Sequence, residues 1–143
     1  MLLISHRGNT SGINPLKENH PDYIIETLNK EYMVEVDVWF KEKKLYLGHD
    51  EPLYDLNSKI LDNKNILFHA KNYEALNELK NLDLHYYWHQ NDDYTITSKG
   101  LIWVYPGKKY SKDSIAVLPE LFTKDLKLNC FGVCSDFIEN YKW

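Results

Sequence analysis

The sequence is poor in cysteine, in basic clusters and in long apolar runs, and each shortage excludes a class of protein. Two cysteines in 143 residues, Cys130 and Cys134, are too few for a disulfide framework or a four-ligand zinc site, so we expect buried thiols. The 17 Lys and Arg residues against 21 Asp and Glu give a net charge of −4, which argues against a nucleic-acid partner. No stretch of about 18 apolar residues exists, so we expect no membrane span and no stable membrane association.

The first apolar run, Leu2 to Ile4, is too short for the hydrophobic region of a signal peptide, and we therefore expect a cytoplasmic protein. The length suits one domain, residues 1–143, because two separate cores would each be small and marginally stable. Aromatic residues are abundant, with 11 Tyr, 4 Trp and 5 Phe. Such large side chains can fill the core of a short chain or line a pocket.

Short apolar runs separated by polar segments predict seven principal strands. These are residues 2–4, 33–40, 65–69, 84–89, 101–105, 114–118 and 131–134, with residues 44–48 as a ribbon appended to the second. Helices are predicted from Pro21 to about residue 31 and from about Asn72 to Leu82, because apolar residues recur there at helical spacing. A short third helix is predicted around Asp55 to Leu61.

Alternating strands and helices predict a parallel sheet with crossover connections. A complete eightfold barrel needs about 250 residues, whereas this chain offers roughly 18 for each of eight units. The alternatives are an open α/β sheet and a barrel stripped of much of its outer ring. We predict the second: an α/β fold forming a truncated or irregular TIM-type (β/α) barrel, with about seven or eight short strands and few outer helices. Its bare apolar strand faces suggest a homodimer.

Polar residues of catalytic type follow the ends of several predicted strands. His6 and Arg7 end the first strand, and Glu35 and Asp37 lie two apart in the second, so that their carboxylates share one face roughly 7 Å apart. Similar positions at later strand ends are held by His49, His69, Lys71 and Asp136. The C-terminal ends of parallel strands meet at one edge, where we expect these groups to converge. Taken singly, each also fits a turn, a solvated strand face or a solvated charge.

The ordered set resembles the opening signature of the glycerophosphodiester phosphodiesterase family, within the phospholipase C-like phosphodiesterases. The motifs that carry the resemblance are His6-Arg7-Gly8, Glu18-Asn19, Glu35-x-Asp37 and Gly48-His49-Asp50, over about residues 3–52. It continues weakly through His69-Ala70-Lys71, where the family has Glu-x-Lys, and through Ser135-Asp136-Phe137. Much of the segment from Trp88 to Gly107 departs from the family, which indicates a short divergent member.

The resemblance implies a TIM-type barrel that hydrolyses a small phosphodiester with a divalent metal, in lipid metabolism. By the matching motifs, His6 and His49 would form the acid–base pair, Arg7 and Lys71 would bind the phosphate, and Glu35, Asp37 and His69 would hold the metal. Histidine suits proton transfer because its ordinary pKa of about 6.5 lies near working pH.

One position departs from the family, since His69 stands where the family has a carboxylate. The resemblance implies Mg²⁺ or Ca²⁺, but an imidazole ligand weakens these hard cations relative to Mn²⁺ or Zn²⁺. We therefore expect a divalent metal whose identity has changed. The alternative is that His69 is a buried histidine bonded within the barrel.

Further candidate substrate contacts are Trp88, His89, Trp103 and Asp136, at or after later strand ends. For His89 and its neighbours a solvated polar loop is the alternative. Two other functions stay open beside hydrolysis: a non-catalytic relative that binds phosphate or a sugar phosphate, and a lyase that forms a cyclic phosphate.

Overall fold

A computed structural model describes residues 1–142, and a strongly curled mixed sheet dominates it. The strands of this part of the chain are β1 (Leu2–His6), β2 (Met33–Lys41), β3 (Lys44–Leu47), β4 (Tyr54–Asp55), β5 (Ile66–Ala70), β6 (Tyr86–Trp88), β7 (Tyr94–Ile96), β8 (Ile102–Val104), β9 (Ser114–Val117) and β10 (Gly132–Ser135). The α-helices are α1 (Pro21–Asn29), α2 (Ser58–Leu61) and α3 (Tyr73–Asn81), and short 3₁₀ helices span Pro119–Leu121 and Ile138–Tyr141.

Seven strands pair in parallel, in the order β6-β5-β2-β1-β10-β9-β8, which confirms the parallel pairing predicted for the principal strands. β7 runs antiparallel to β8, and β3 and β4 extend β2 as an antiparallel ribbon. The register sets His6 beside Glu35, and Asp37 beside His69. The polar residues of β1, β2 and β5 are therefore neighbours across the sheet.

The predicted TIM-type barrel is wrong. The described residues form a curled half-barrel sheet with mixed strands, and only 20% of the chain is helical. The physical reason lies in the connections. Helices α1 and α3 pack on the side of β2 and β5, but beyond β6 the described connections are turns, the antiparallel β7 and one 3₁₀ helix. These segments are too short to build the outer helical layer that defines a TIM barrel.

The core explains which way the site residues of β2 point. Val34, Val36 and Val38 are fully buried in the cluster that includes Ile24 of α1 and Leu79 of α3. Because side chains alternate along a strand, Glu35 and Asp37 face the inside of the curl. Burial of each valine stabilises the fold by roughly 1.5–3 kcal/mol, which holds this orientation against the opposite one.

Both main helices begin with a capping side chain. The ring of His20 accepts a hydrogen bond from the Asp22 backbone N–H, with Pro21 in the first helical position. The side chain of Asn72 accepts one from the Ala75 N–H at the start of α3. α1 and α3 lie within two residues of the predicted bounds, because these capping residues and the apolar periodicity are local signals, whereas α2 begins three residues after the predicted start at Asp55.

Apolar side chains remain exposed where helices are missing. Ile96 and Ile102 near β7 and β8, and Phe122 beyond β9, are 67%, 36% and 65% exposed. The homodimer expected to cover such faces stays a prediction. Both cysteines are free thiols, Cys134 buried and Cys130 half-buried. Among the described residues, every helix is too short or too polar to cross a membrane.

Candidate active site

A cavity of about 430 Å³ opens at the C-terminal ends of the parallel strands. Besides His89, its charged and imidazole side chains are His6, Arg7, Glu35, His49, His69 and Lys71. These are six of the seven predicted catalytic, phosphate-binding and metal-ligating residues; the seventh, Asp37, lies directly beneath them. A larger open depression near Met1 and Phe131 has a volume of about 1210 Å³, but its lining offers no comparable group of catalytic side chains within the described residues.

The turn after β1 brings Arg7 over the neighbouring strand. Its backbone N–H donates to the Glu35 carbonyl at 2.9 Å. Gly8 follows with a φ of +94°, and a Cβ atom there would lie 2.8 Å from the Tyr23 ring. Glycine is therefore required at this point for the chain to turn and for Arg7 to keep its place.

Asp37 is the hub of the charged network, and its side chain is fully buried. One of its oxygens, Oδ2, lies 2.9 Å from Arg7 Nε and accepts a hydrogen bond from Asn19 Nδ2 at 2.9 Å. The other, Oδ1, lies 3.1 Å from His69 Nδ1 and 3.8 Å from Lys71 Nζ. Burial acts to raise the pKa of Asp37, but hydrogen bonds and the charge of Arg7 outweigh it and hold that pKa well below the ordinary value. Asp37 is ionised at neutral pH.

Glu35 occupies the middle of the cavity floor. Its Oε1 accepts a hydrogen bond from the Tyr87 hydroxyl at 3.0 Å, and His69 Nδ1 lies 3.7 Å away. Its Oε2 lies 3.9 Å from His6 Nε2 and is buried without a hydrogen bond. Burial and the nearby Glu35 carboxylate raise the pKa of Tyr87 well above its ordinary value, so this phenol serves as a hydrogen-bond donor.

His6 is fixed by a carboxylate from the far end of the chain. Its Nδ1 lies 2.8 Å from Asp136 Oδ1, which also accepts a hydrogen bond from Asn9 Nδ2 at 2.8 Å. Glu120 holds the strand end in turn, since its Oε1 accepts from the Asp136 N–H at 3.0 Å. Burial lowers the pKa of His6, but the bond to Asp136 and the charge of Glu35 outweigh burial, and the net pKa is raised. The same bond lowers the pKa of Asp136 despite its burial.

The other two imidazoles differ in what their nitrogens do. His69 Nε2 lies 3.0 Å from the His89 carbonyl and its Nδ1 lies 3.1 Å from Asp37 Oδ1, so both nitrogens face hydrogen-bond acceptors. His49 Nδ1 lies 3.0 Å from Arg7 NH2 and 3.5 Å from Asp37 Oδ2. Because arginine can only donate, the closer contact makes Nδ1 of His49 the hydrogen-bond acceptor.

Three of these side chains together offer donor atoms that suit a divalent cation. Glu35, Asp37 and His69 each offer a ligand atom, and these atoms lie within 4.8 Å of one another. The buried, unbonded Oε2 of Glu35 is a further reason that the donor set fits a cation, since a buried carboxylate oxygen ordinarily has a partner. Coordination through His69 Nδ1 requires that nitrogen to lose its proton.

The candidate substrate contacts take up different positions. Trp103 is buried in the cavity floor, with its ring 4.7 Å from that of Tyr87. Trp88 reaches the edge of the cavity but packs against the core cluster under the helices. His89 lies at the mouth, its ring 5.4 Å from that of Tyr105. Asp136 lies behind His6 rather than in the cavity lining.

Sequence reasoning missed two contributors to this network. Side-chain alternation predicts that Tyr87 and His89 share one face of their strand, but it does not predict which face points inward. Asn9 bridges Asp136 and Glu18, with Nδ2 2.9 Å from Glu18 Oε1, and nothing in its sequence neighbourhood indicates that contact. Asn19, identified in the sequence only as part of the Glu18-Asn19 motif, also holds Asp37 through its side-chain amide.

Comparisons of the chain with family models, with curated proteins and with solved structures find no match. The resemblance in the motifs therefore stays a prediction, and the role in lipid metabolism expected from it is not maintained.

Proposed function

We propose that the protein is a metal-dependent phosphodiesterase acting on a small phosphodiester. The observation that carries this proposal is that Arg7, Lys71, His6 and His49 all face one cavity above the buried carboxylates of the second strand. Phosphodiester cleavage needs positive charge at the phosphoryl oxygens and proton transfer at both the entering and the leaving oxygen. Arg7 and Lys71 supply the charge, and the two histidines supply the proton transfers.

Glu35, Asp37 and His69 would hold the metal. A bound divalent cation supplies charge neutralisation and orientation of the phosphoryl oxygens. Carboxylates alone favour Mg²⁺ or Ca²⁺, while the imidazole of His69 shifts the preference toward Mn²⁺ or Zn²⁺. Arg7 is held through Nε by Asp37 and through NH1 by Glu18, and its NH2 group, which contacts His49, is the one that would turn to the phosphate.

His6 is assigned as the general acid. Its Nδ1–H is held by Asp136, which leaves Nε2 on the cavity side. Burial lowers its pKa, but Asp136 and Glu35 outweigh that effect, and the raised pKa suits a group that donates a proton to the departing alkoxide.

His49 is assigned as the general base. Its Nδ1 accepts a hydrogen bond from Arg7 NH2. A phosphoryl oxygen that takes over the Arg7 N–H frees this lone pair to remove a proton from the attacking hydroxyl. In this assignment His6 gives a proton to the leaving oxygen and His49 takes one from the attacking hydroxyl, as acid–base catalysis of this type requires.

The test is turnover of bis(p-nitrophenyl) phosphate with added Mn²⁺ by the wild-type protein and by the His6→Ala and His49→Ala variants. We expect turnover by the wild type, a loss on the order of 10²-fold or more in His49→Ala, and a smaller loss in His6→Ala, because p-nitrophenolate departs without much protonation. His20→Asn is the matched control, because His20 caps α1 away from the cavity and asparagine keeps the cap.

Wild-type rates in both alanine variants would overturn the catalytic assignment. Phosphate binding without turnover would instead support the non-catalytic relative. For a diester with a neighbouring hydroxyl, product analysis in ¹⁸O-labelled water separates hydrolysis from the lyase reaction, since only hydrolysis incorporates the label.

The cytoplasmic location expected from the sequence also stays a prediction.

A further inference from the structure

The cavity has an apolar wall opposite its charged one. The charged side chains come from β1, β2, the end of the β3 ribbon and β5, whereas β6, β8, β9 and the residues after them supply apolar groups. The apolar wall consists of Tyr87, Trp103, Tyr105, Pro106, Val117 and Leu118. Tyr87, Trp103 and Val117 belong to a hydrophobic core cluster, and where they reach the cavity they give it an apolar surface that acid–base chemistry at a phosphate does not need.

Two aromatic residues of this wall, Tyr87 and Trp103, pack ring against ring next to His69, a candidate metal ligand. The His69 and Tyr87 rings are stacked with centroids 4.5 Å apart, and the Tyr87 and Trp103 centroids are 4.7 Å apart. Tyr87 and Trp103 are each 3% exposed, so both are held by packing. Tyr105, at the mouth, is 44% exposed and leaves a large aromatic surface in solvent. Rigid aromatic surface of this kind binds apolar groups at little cost in side-chain entropy.

The apolar wall offers few side chains that could form hydrogen bonds with the hydroxyl groups of a substrate. Among the described residues that line it, the polar ones near Tyr105 are His89 and Gln90. The His89 carbonyl is engaged by His69, and its ring nitrogen Nε2 by the Asp92 carbonyl. A glycerol group loses its hydrogen bonds to water on entering, and would find few replacements here.

We infer that the site takes phosphate esters whose organic group is apolar, an aromatic ring or an alkyl chain, in preference to glycerol. The inference rests on the proposed function, which locates the phosphate at Arg7 and Lys71. The organic group then lies against Trp103, Tyr105 and Val117. The cavity volume of about 430 Å³ is within the range of small-molecule sites.

Calorimetric titration of the Mn²⁺-loaded protein tests this preference with four probes: inorganic phosphate, glycerol 3-phosphate, phenyl phosphate and hexyl phosphate. We expect phenyl phosphate, hexyl phosphate or both to bind about tenfold more tightly than glycerol 3-phosphate. Comparison of phenyl phosphate with hexyl phosphate shows whether the site prefers an aromatic ring or an alkyl chain. In Tyr105→Ala the preference is expected to fall to about threefold or less.

Tyr94→Ala is the matched control, since Tyr94 is similarly exposed, at 48%, but lies on β7 outside the cavity lining. It is expected to keep the full preference. Glycerol 3-phosphate binding as tightly as both apolar esters would overturn the inference, while turnover of bis(p-nitrophenyl) phosphate would still support the proposed function. If none of the four probes binds and no diester is turned over, both proposals fall.

Discussion

His6 Nδ1 and Asp136 Oδ1 lie 2.8 Å apart, although 130 positions separate the two residues in the chain. The contact follows from the pairing of β1 with β10, whose register sets Ser5 beside Ser135 and so brings the next residues of both strands together. A carboxylate at Nδ1 fixes the orientation and the protonated nitrogen of the ring. Asp136 is therefore assigned as a positioning residue rather than a substrate contact.

Asp136→Asn tests this assignment. Asparagine preserves the size of the side chain but removes the charge that favours protonated His6, so kcat for a dialkyl phosphate, whose leaving alkoxide needs a proton, is expected to fall on the order of 10²-fold with little change in KM. Steady-state kinetics with Mn²⁺ measure both constants. The exposed Asp113→Asn is the control and keeps wild-type rates. An unchanged kcat in Asp136→Asn would show that Asp136 does not act through His6.

Metal selectivity follows from the imidazole of His69. In the dialysed protein, calorimetry is expected to show Mn²⁺ or Zn²⁺ binding at least about tenfold more tightly than Mg²⁺. His69→Glu supplies an oxygen ligand and is expected to narrow that difference, whereas His20→Asn leaves it unchanged. The absence of saturable binding by any of these ions would contradict the assignment of Glu35, Asp37 and His69 as ligands.

Tyr87→Phe removes a single hydroxyl, the one that donates to Glu35 Oε1 at 3.0 Å. The loss of this support is expected to weaken metal binding by about tenfold and to lower the free energy of unfolding by about 1 kcal/mol. Calorimetry and urea denaturation measure the two effects. Tyr141→Phe is the control, because the Tyr141 hydroxyl is buried without a hydrogen-bond partner, and its removal is expected to cost less. Equal metal affinity in Tyr87→Phe and wild type would exclude a positioning role for the phenol.

Because the pKa of His85 is lowered in the folded protein, we expect the free energy of unfolding to fall in mild acid. Burial, with a smaller effect of the Lys99 charge, lowers its pKa to about 4, and its Nε2 lies 3.0 Å from Thr97 Oγ1. The unfolded chain takes up a proton at His85 near pH 6.5, while the folded chain does so only near pH 4. Stability therefore falls as the pH drops between these values, by on the order of 3 kcal/mol from this residue. Urea midpoints at pH 7 and pH 4.5 are expected to differ less in His85→Gln than in wild type, and equal differences would contradict the prediction.

Local patterns in the sequence predicted much of the sheet and of the site. The alternation of Val34, Glu35, Val36, Asp37 and Val38 placed the carboxylates on one face, and the structure shows that face to be the cavity side because the valines pack under the helices. The ends of parallel strands correctly predicted convergence of the charged groups. These features depend on side-chain alternation and strand direction, both of which are readable locally.

The predicted barrel and the roles of three residues depended on information that local patterns do not hold. The antiparallel β7, where Tyr94 pairs with Val104, is a short and largely exposed strand that gave no apolar run. The inward turn of Tyr87 depends on how β6 packs, since both of its faces carry aromatic residues. The contact of Asp136 with His6 and Asn9 requires the register of strands at opposite ends of the chain.

The leaving-group dependence of the two histidine variants tests the acid–base assignment most directly. p-Nitrophenolate departs without much protonation, whereas an alkoxide needs a proton from the general acid. If His6 is the acid and His49 the base, His6→Ala loses much more activity toward a dialkyl phosphate than toward bis(p-nitrophenyl) phosphate, and His49→Ala loses activity toward both alike. Equal losses in His6→Ala on the two substrates, or a wild-type protein that turns over neither, would contradict this assignment.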